Sequence, residues 1–334
     1  MMTFFAVSFI VSGMLWGAMA LWFKPLAGGG LRLALPALWA MFAMSMLVGT
    51  LRGNFAFVGA FAVVLAIMLT GWVCLVRPSN DRAWMPEVLH QTSGSRVGEV
   101  VRLQNVRDFR WASSDVFEAR WLTRNYDLSR LESVDLILSY WGRPAIAHAM
   151  VSFGFGGNDH VVFSVEIRRK IGDRFSEIGG FFRQYELAVL ASTEEDSLKV
   201  RTNVRGEDGY IYRVAMKHSD ATALFLAYVD TANGLLSKPR FYNTLTANCT
   251  TLVYQLANRI VRGLPMDHRL LLSGYLPEYL FSIGALTGAE SVAEYRSKGR
   301  YTDRALASHS PDRFSLDIRR GVPGISTSPV VASD

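Results

Sequence analysis

The sequence predicts an α+β protein in which three membrane-spanning helices precede one mixed soluble domain. Three observations lead there. Residues 1–80 contain no Asp, Glu or His. Uncharged apolar runs fill 3–23, 33–51 and 53–76. Over the next 250 or so residues, strand-like runs come first and segments of helical period follow, the pattern of a single α+β domain.

Each apolar run is long enough to cross a hydrocarbon core of about 30 Å. Only the link from Lys24 to Arg32 and the single Arg52 separate them. A cleaved signal peptide fits poorly, because no basic stretch precedes the first run and two more spans follow. Pro36, near the start of the second, is tolerated in a membrane helix. Residues 1–77 are therefore expected to form a membrane anchor, 78–320 the soluble domain, and the Gly/Pro/Ser-containing stretch 321–334 a flexible tail.

In the domain, Arg77-Pro78-Ser79-Asn80-Asp81-Arg82 ends the third helix in a turn. Ser93-Gly94-Ser95 reads as loop. Residues 97–109, 134–140, 147–155, 160–167 and 210–214 read as strands, and Gly156-Gly157-Asn158-Asp159 as a hairpin turn. Helical spacing appears over 220–236 and again after Asn248. A third helix over 270–286 is expected to be interrupted by Pro277.

The formal net charge is +6, but four of the 35 basic residues lie in the anchor with none of the 29 acids. The rest holds 31 basic against 29 acidic residues, a balance of +2 that does not suggest nucleic-acid binding. Lys24, Arg32, Arg77 and Arg82 fall on the domain's side of the membrane and only Arg52 on the other, so a bare positive-inside count would make the domain cytoplasmic.

There are two cysteines, Cys74 in the third span and Cys249 in the domain, and no structural disulfide is expected. Cys249 follows Asn248, a good N-cap, and Leu252, Val253, Leu256 and Ile260 then share one helical face. A cysteine in a first helical turn feels the positive end of the helix dipole, which favours the nucleophilic thiolate. The competing reading is a small buried core cysteine. Such a nucleophile needs a base. His148 is the candidate, because it stands at the entry to an apolar strand while the other five histidines lie in polar or turn-like text. If the hairpin turns through a three-residue loop, 155 pairs with 159 and 148 faces 166, which brings Glu166 to His148. A four-residue loop turns Glu166 to the other face. Asp267/His268 and Glu194-Glu195-Asp196 read as solvated surface. No G-x-S-x-G, H-E-x-x-H, C-x-x-C or P-loop motif is present. No metal and no cofactor is expected.

Several motifs in one order carry a family resemblance. They are Arg77-Pro78-Ser79-Asn80-Asp81-Arg82, Tyr126-Asp127-Leu128, Leu138-Ser139-Tyr140-Trp141-Gly142, Ile146-Ala147-His148, Ser152-Phe153-Gly154-Phe155, Ser164-Val165-Glu166-Ile167-Arg168, Phe181-Phe182-Arg183-Gln184-Tyr185-Glu186-Leu187, Arg201-Thr202-Asn203 and Tyr242-Asn243-Thr244-Leu245-Thr246-Ala247-Asn248-Cys249-Thr250-Thr251. Over roughly 77–320 the chain resembles bacterial membrane proteins that carry the N-terminal periplasmic domain of the Lnb lipoprotein N-acyltransferases. The resemblance implies a permuted papain-like (NlpC/P60-like) fold, with the histidine before the cysteine and Cys249 and His148 as the catalytic pair. Glu166 is the candidate third member. It also implies a periplasmic domain on the bacterial inner membrane, which outweighs the few flanking charges because long domains translocate largely regardless of them. The chain has three helices before the domain and none after it, whereas the characterised acyltransferases have a multi-helix membrane part after it, so the resemblance does not extend to lipoprotein N-acylation as such.

The expected function is acyl transfer or hydrolysis on a membrane lipid or lipoprotein through a Cys249 thioester. The backbone amides after Asn248 would hold the oxyanion, and Arg183, Tyr185, Asn243 and Asn248 are candidate substrate contacts. Two rivals stand beside it, a cell-wall peptidase or amidase and a non-catalytic envelope scaffold or binding module. A wall substrate predicts a polar groove and a lipid an apolar one.

Overall fold

The computed structural model describes residues 1–24, 31–261 and 263–325. The chain divides into two compact units. Met1–Asp81, Gly172–Glu186 and Arg240–Thr244 form one, and Arg82–Ile171, Leu187–Pro239 and Leu245–Asp334 the other.

In the first unit, α1 (Met2–Phe23), α2 (Leu31–Leu51) and α3 (Ala56–Leu75) are 22, 21 and 20 residues long. All three are long and apolar enough to cross a membrane. Small residues let them approach closely. A Cβ on Gly17 would come within 2.3 Å of the Trp39 indole, and one on Gly13 within 2.8 Å of Phe61. The Trp39 Nε1–H donates to the Met14 carbonyl at 3.0 Å, so this buried indole donor is paired. The excursion Gly172–Glu186 brings Phe182 onto Ala20, Trp72 and Val76, and stacks it on Phe23 at 5.7 Å.

The second unit is built on a mixed sheet. Its strands are β1 (Ser93–Val97), β2 (Val100–Arg107), β5 (Trp121–Asp127), β6 (Ser133–Tyr140), β7 (Ala147–Gly154), β8 (His160–Arg168), β9 (Glu186–Ser192) and β10 (Asp208–Val214), while β3 (Arg110–Trp111) and β4 (Phe117–Glu118) make a small separate ribbon. The sheet order is β1-β2-β9-β8-β7-β6-β10, with β5 also on β2. The hairpin of β7 and β8 pairs Gly154 with His160 and Met150 with Ser164, the register set by a three-residue loop. The central strands are buried on both faces, which explains their near-continuous apolar text.

The two faces differ. By register, Asp135, Ser139, His148, Ser152, His160, Ser164 and Arg213 lie on one, interleaved with Ile137, Met150, Val162 and Ile211. Its cover comes from α4 (Glu194–Ser197), the π-helical turn Val200–Val204, α9 (Thr302–Ala307) and α10 (Phe314–Ile318), through Leu198, Tyr301, Ala305, Phe314 and Ile318. The opposite face presents Leu136, Leu138, Ala147, Ala149 and Tyr212 to helical residues such as Leu276, Tyr279 and Tyr295. It is covered by α5 (His218–Ser237), α6 (Thr251–Ile260), α7 (Leu276–Ser282) and α8 (Val292–Gly299).

Four local expectations are corrected. Ser93-Gly94-Ser95 is strand, because the Asn233 side chain of α5 accepts from the Gly94 N–H and donates to its carbonyl, and a Cβ there would meet Val229 at 2.7 Å. Pro277 begins α7 instead of interrupting a longer helix, since a first-turn proline forfeits no helical bond. Glu194 and Asp196 are buried and ion-paired, Glu194 to Arg319 at 2.6 Å and Asp196 to Arg107 at 2.7 Å. The stretch from Gly321 starts packed, with Val322 in the α9/α10 core, while 326–334 lie outside the described residues.

Candidate active site

Helical hydrogen bonding on the Cys249 side begins at Asn248. Its carbonyl accepts from the Leu252 N–H at 3.1 Å, and its Oδ1 accepts from the Thr250 and Thr251 N–H groups at 2.8 Å each. In return, the Asn248 N–H donates to Thr251 Oγ1 at 3.1 Å, a reciprocal cap. Cys249 is thereby fixed in the first turn leading into α6, half-buried and packed against the apolar-face core. The same geometry corrects the expected oxyanion site. The Thr250 and Thr251 amides are spent on the cap, and the Cys249 N–H is the backbone donor with no acceptor among the described residues.

The pairing of β7 with β8 runs only to Met150 and Ser164. Beyond it, the His148 imidazole and the Ala149 N–H lie beside the Cys249 sulfur, near enough for both to favour the thiolate. The Cys249 sulfur is also 3.9 Å from Thr250 Oγ1. On its far side the imidazole meets two groups through Nε2, Ser164 Oγ at 2.7 Å and Glu166 Oε1 at 3.1 Å. The Ser164 hydroxyl donates its one proton to Glu166 Oε1 at 2.6 Å, so it accepts from His148 Nε2–H. That places a hydrogen on Nε2, on the side of Ser164 and Glu166. Arg201 holds the same Glu166 oxygen at 3.4 Å, and its other arm reaches Glu207 at 3.2 Å, which in turn accepts from Ser139 at 2.5 Å.

The electrostatics follow from this chain of contacts. Burial and the charge of Arg201 push His148 down, but the Glu166 carboxylate and the hydrogen bonds to Cys249 and Glu166 outweigh them and raise it to about 9. Burial pushes the Cys249 thiol up. The His148 hydrogen bond and charge, the Ala149 N–H and the Thr250 hydroxyl reverse this and hold it below its usual range. Burial opposes the charge on Glu166 too, yet His148, Arg201 and Ser164 keep it far below the usual carboxylate range. A lowered thiol beside a raised imidazole that is itself backed by a carboxylate is the electrostatic pattern on which nucleophilic thiol chemistry depends.

Ser164 and Arg201 were not singled out from the sequence. Ser164 had a signal, because it lies two residues before Glu166 on a strand and therefore on the same face. Arg201 had none beyond its motif, since its partners are distant in sequence. The other candidates are placed as follows. Asn248 is the cap described above. Arg183 lies in the first unit and donates to the Trp72 and Val76 carbonyls at the end of α3, at 3.3 and 3.2 Å. Tyr185, in the same unit, is fully buried and donates to the Arg174 carbonyl at 2.7 Å. Asn243 also belongs to that unit.

The family model of the Lnb N-terminal periplasmic domain matches residues 117–274, a span that contains His148, Ser164, Glu166, Arg201 and Cys249. Residues 117–274 are thus similar to the Lnb N-terminal periplasmic domain. No curated protein and no solved structure matches the chain. The Lnb domain follows three helices long enough to span a membrane, so the chain is a membrane-anchored protein with a periplasmic domain, and the cytoplasmic placement suggested by flanking charges is set aside.

Proposed function

We propose that the protein is a periplasmic thiol enzyme with papain-like Cys–His–Glu chemistry, acting by acyl transfer or hydrolysis on a membrane lipid or lipoprotein. The observation that carries this reading is the cluster of Cys249, His148 and Glu166, in which His148 Nε2 stands 3.1 Å from Glu166 Oε1 and His148 is raised to about 9 while the thiol is lowered. The Cys249 thiolate attacks the carbonyl carbon of an acyl ester. A C–S bond forms and the carbonyl oxygen takes the negative charge beside the Cys249 N–H. The intermediate collapses, the ester C–O bond breaks, and the leaving alkoxide takes the proton from His148. His148, now neutral, accepts a proton from an incoming amine or water, which attacks the thioester and releases the thiolate. Glu166 and Ser164 hold the imidazole in the required orientation throughout.

A cell-wall peptidase or amidase would use the same line of residues. The membrane anchor next to the Lnb domain favours the lipid-linked substrate over that reading. The test is intact-mass analysis of the full-length protein after incubation with p-nitrophenyl octanoate. One acyl adduct in wild type, absent in Cys249→Ala and at least about 100-fold slower in His148→Ala, is expected. A folded wild-type protein with no adduct at Cys249 would overturn the reading in favour of a binding module.

A further inference from the structure

We propose that the cavity between the apolar face of the sheet and α5, α6 and α7 binds the acyl chain of the substrate, inside the soluble domain. This rests on the thiol acyl reading above and adds to it a site. A cavity of about 100 Å³, open to solvent on one side, lies between Leu136 and Val151 on the sheet, Val253 and Ala257 on α6, and Leu280 on α7. The lining is almost wholly carbon. Tyr254 and Tyr279 contribute their rings but not their hydroxyls, which donate to the Leu264 and Pro265 carbonyls at 2.8 and 2.9 Å. A sugar or peptide entering here would leave its polar groups unpaired, whereas a hydrocarbon chain loses nothing.

The cavity comes within one side chain of Cys249. Thr250 lines it, and its Oγ1 is 3.9 Å from the Cys249 sulfur. Cys249 itself packs on the cluster formed by Leu136, Leu270, Leu276 and Tyr279, which also line the cavity. The occupant is therefore the fatty acyl chain of an ester whose carbonyl sits at Cys249. The face of α6 that carries Val253 and Ala257 decides how long a chain fits, since the two positions lie one helical turn apart on the same side.

The test measures the rate of acyl-enzyme formation with p-nitrophenyl acetate, butyrate, octanoate and decanoate by intact mass. Each buried methylene is worth up to about fourfold in kcat/KM. Octanoate is expected to react at least about 100-fold faster than acetate, and Ala257→Trp to collapse that ratio toward unity. A series flat in chain length, or a ratio unchanged in an Ala257→Trp protein that still melts cooperatively, would overturn the proposal. If that variant does not fold, Leu280→Ala serves instead. It should move the optimum to a longer chain, and an unmoved optimum counts against the site. If no ester labels Cys249, the nucleophile reading fails, and octanoate binding to the Cys249→Ser protein then decides the cavity alone. Saturable binding upholds the site and none removes it.

Discussion

The two faces of the central sheet solve opposite problems. One buries charge. Asp135 meets Arg213 at 2.5 Å and Arg319 at 2.9 Å, Glu194 meets Arg319, and Glu166 meets His148 and Arg201, all under helical cover. The other buries hydrocarbon and leaves part of it unfilled. Cys249 packs with the apolar face, whereas His148 belongs by register to the polar one. They lie together where the pairing of β7 with β8 ends, beyond Met150 and Ser164. The difference teaches where reactivity comes from. On the proposed reading, the polar face supplies the base and the apolar face packs against the thiol, and the nucleophile needs both.

Breaking the polar side at its centre should have the largest effect. His148→Ala is expected to lower acylation of Cys249 by about 10²–10⁴-fold while the protein still melts cooperatively. Arg319→Ala removes the shared partner of Asp135 and Glu194 and should cost about 3–5 kcal/mol, seen as a lower midpoint in denaturant, because both carboxylates stay buried without it. Ser164→Ala should slow acylation about tenfold and lower the alkaline limb of the pH profile, with Ser164→Thr restoring both, since the hydroxyl bridges His148 and Glu166. The smallest effect is expected at the cap. Asn248→Ala should cost about 0.5–2 kcal/mol of stability and reduce thiol reactivity through a frayed first turn.

Protonation gives a further check on the polar side. Folding raises His148 from its ordinary 6.5 to about 9, so the stability that its proton contributes is complete below pH 6.5 and fades as pH rises through 9. The acylation rate should fall across the same alkaline limb, because the leaving group loses its proton donor.

Much of this arrangement was legible in the sequence. The three spans announced themselves by length and by the absence of acids, and the Gly-Gly-Asn turn located the hairpin, while its register, open in the sequence between two loop lengths, came only with the observed pairing of Gly154 with His160. Asn248 before an apolar helical face announced the turn that carries Cys249. What stayed hidden depended on partners far along the chain. Glu194 and Asp196 read as surface because Arg319 lies 125 residues from the first and Arg107 lies 89 from the second. Ser93 to Ser95 read as loop because the strand there owes its place to Asn233 of α5, not to its own propensity. The cap's use of the Thr250 and Thr251 amides was also hidden, because the pattern names a cap without saying which donors it consumes.

The most direct test of the central claim is the pH dependence of Cys249 alkylation by iodoacetamide, followed by intact mass in wild type and His148→Ala. The account predicts that the wild-type Cys249 profile lies below the ordinary thiol range, and that His148→Ala returns it to about 8.5 or above. Superimposable profiles with an ordinary thiol midpoint would contradict it.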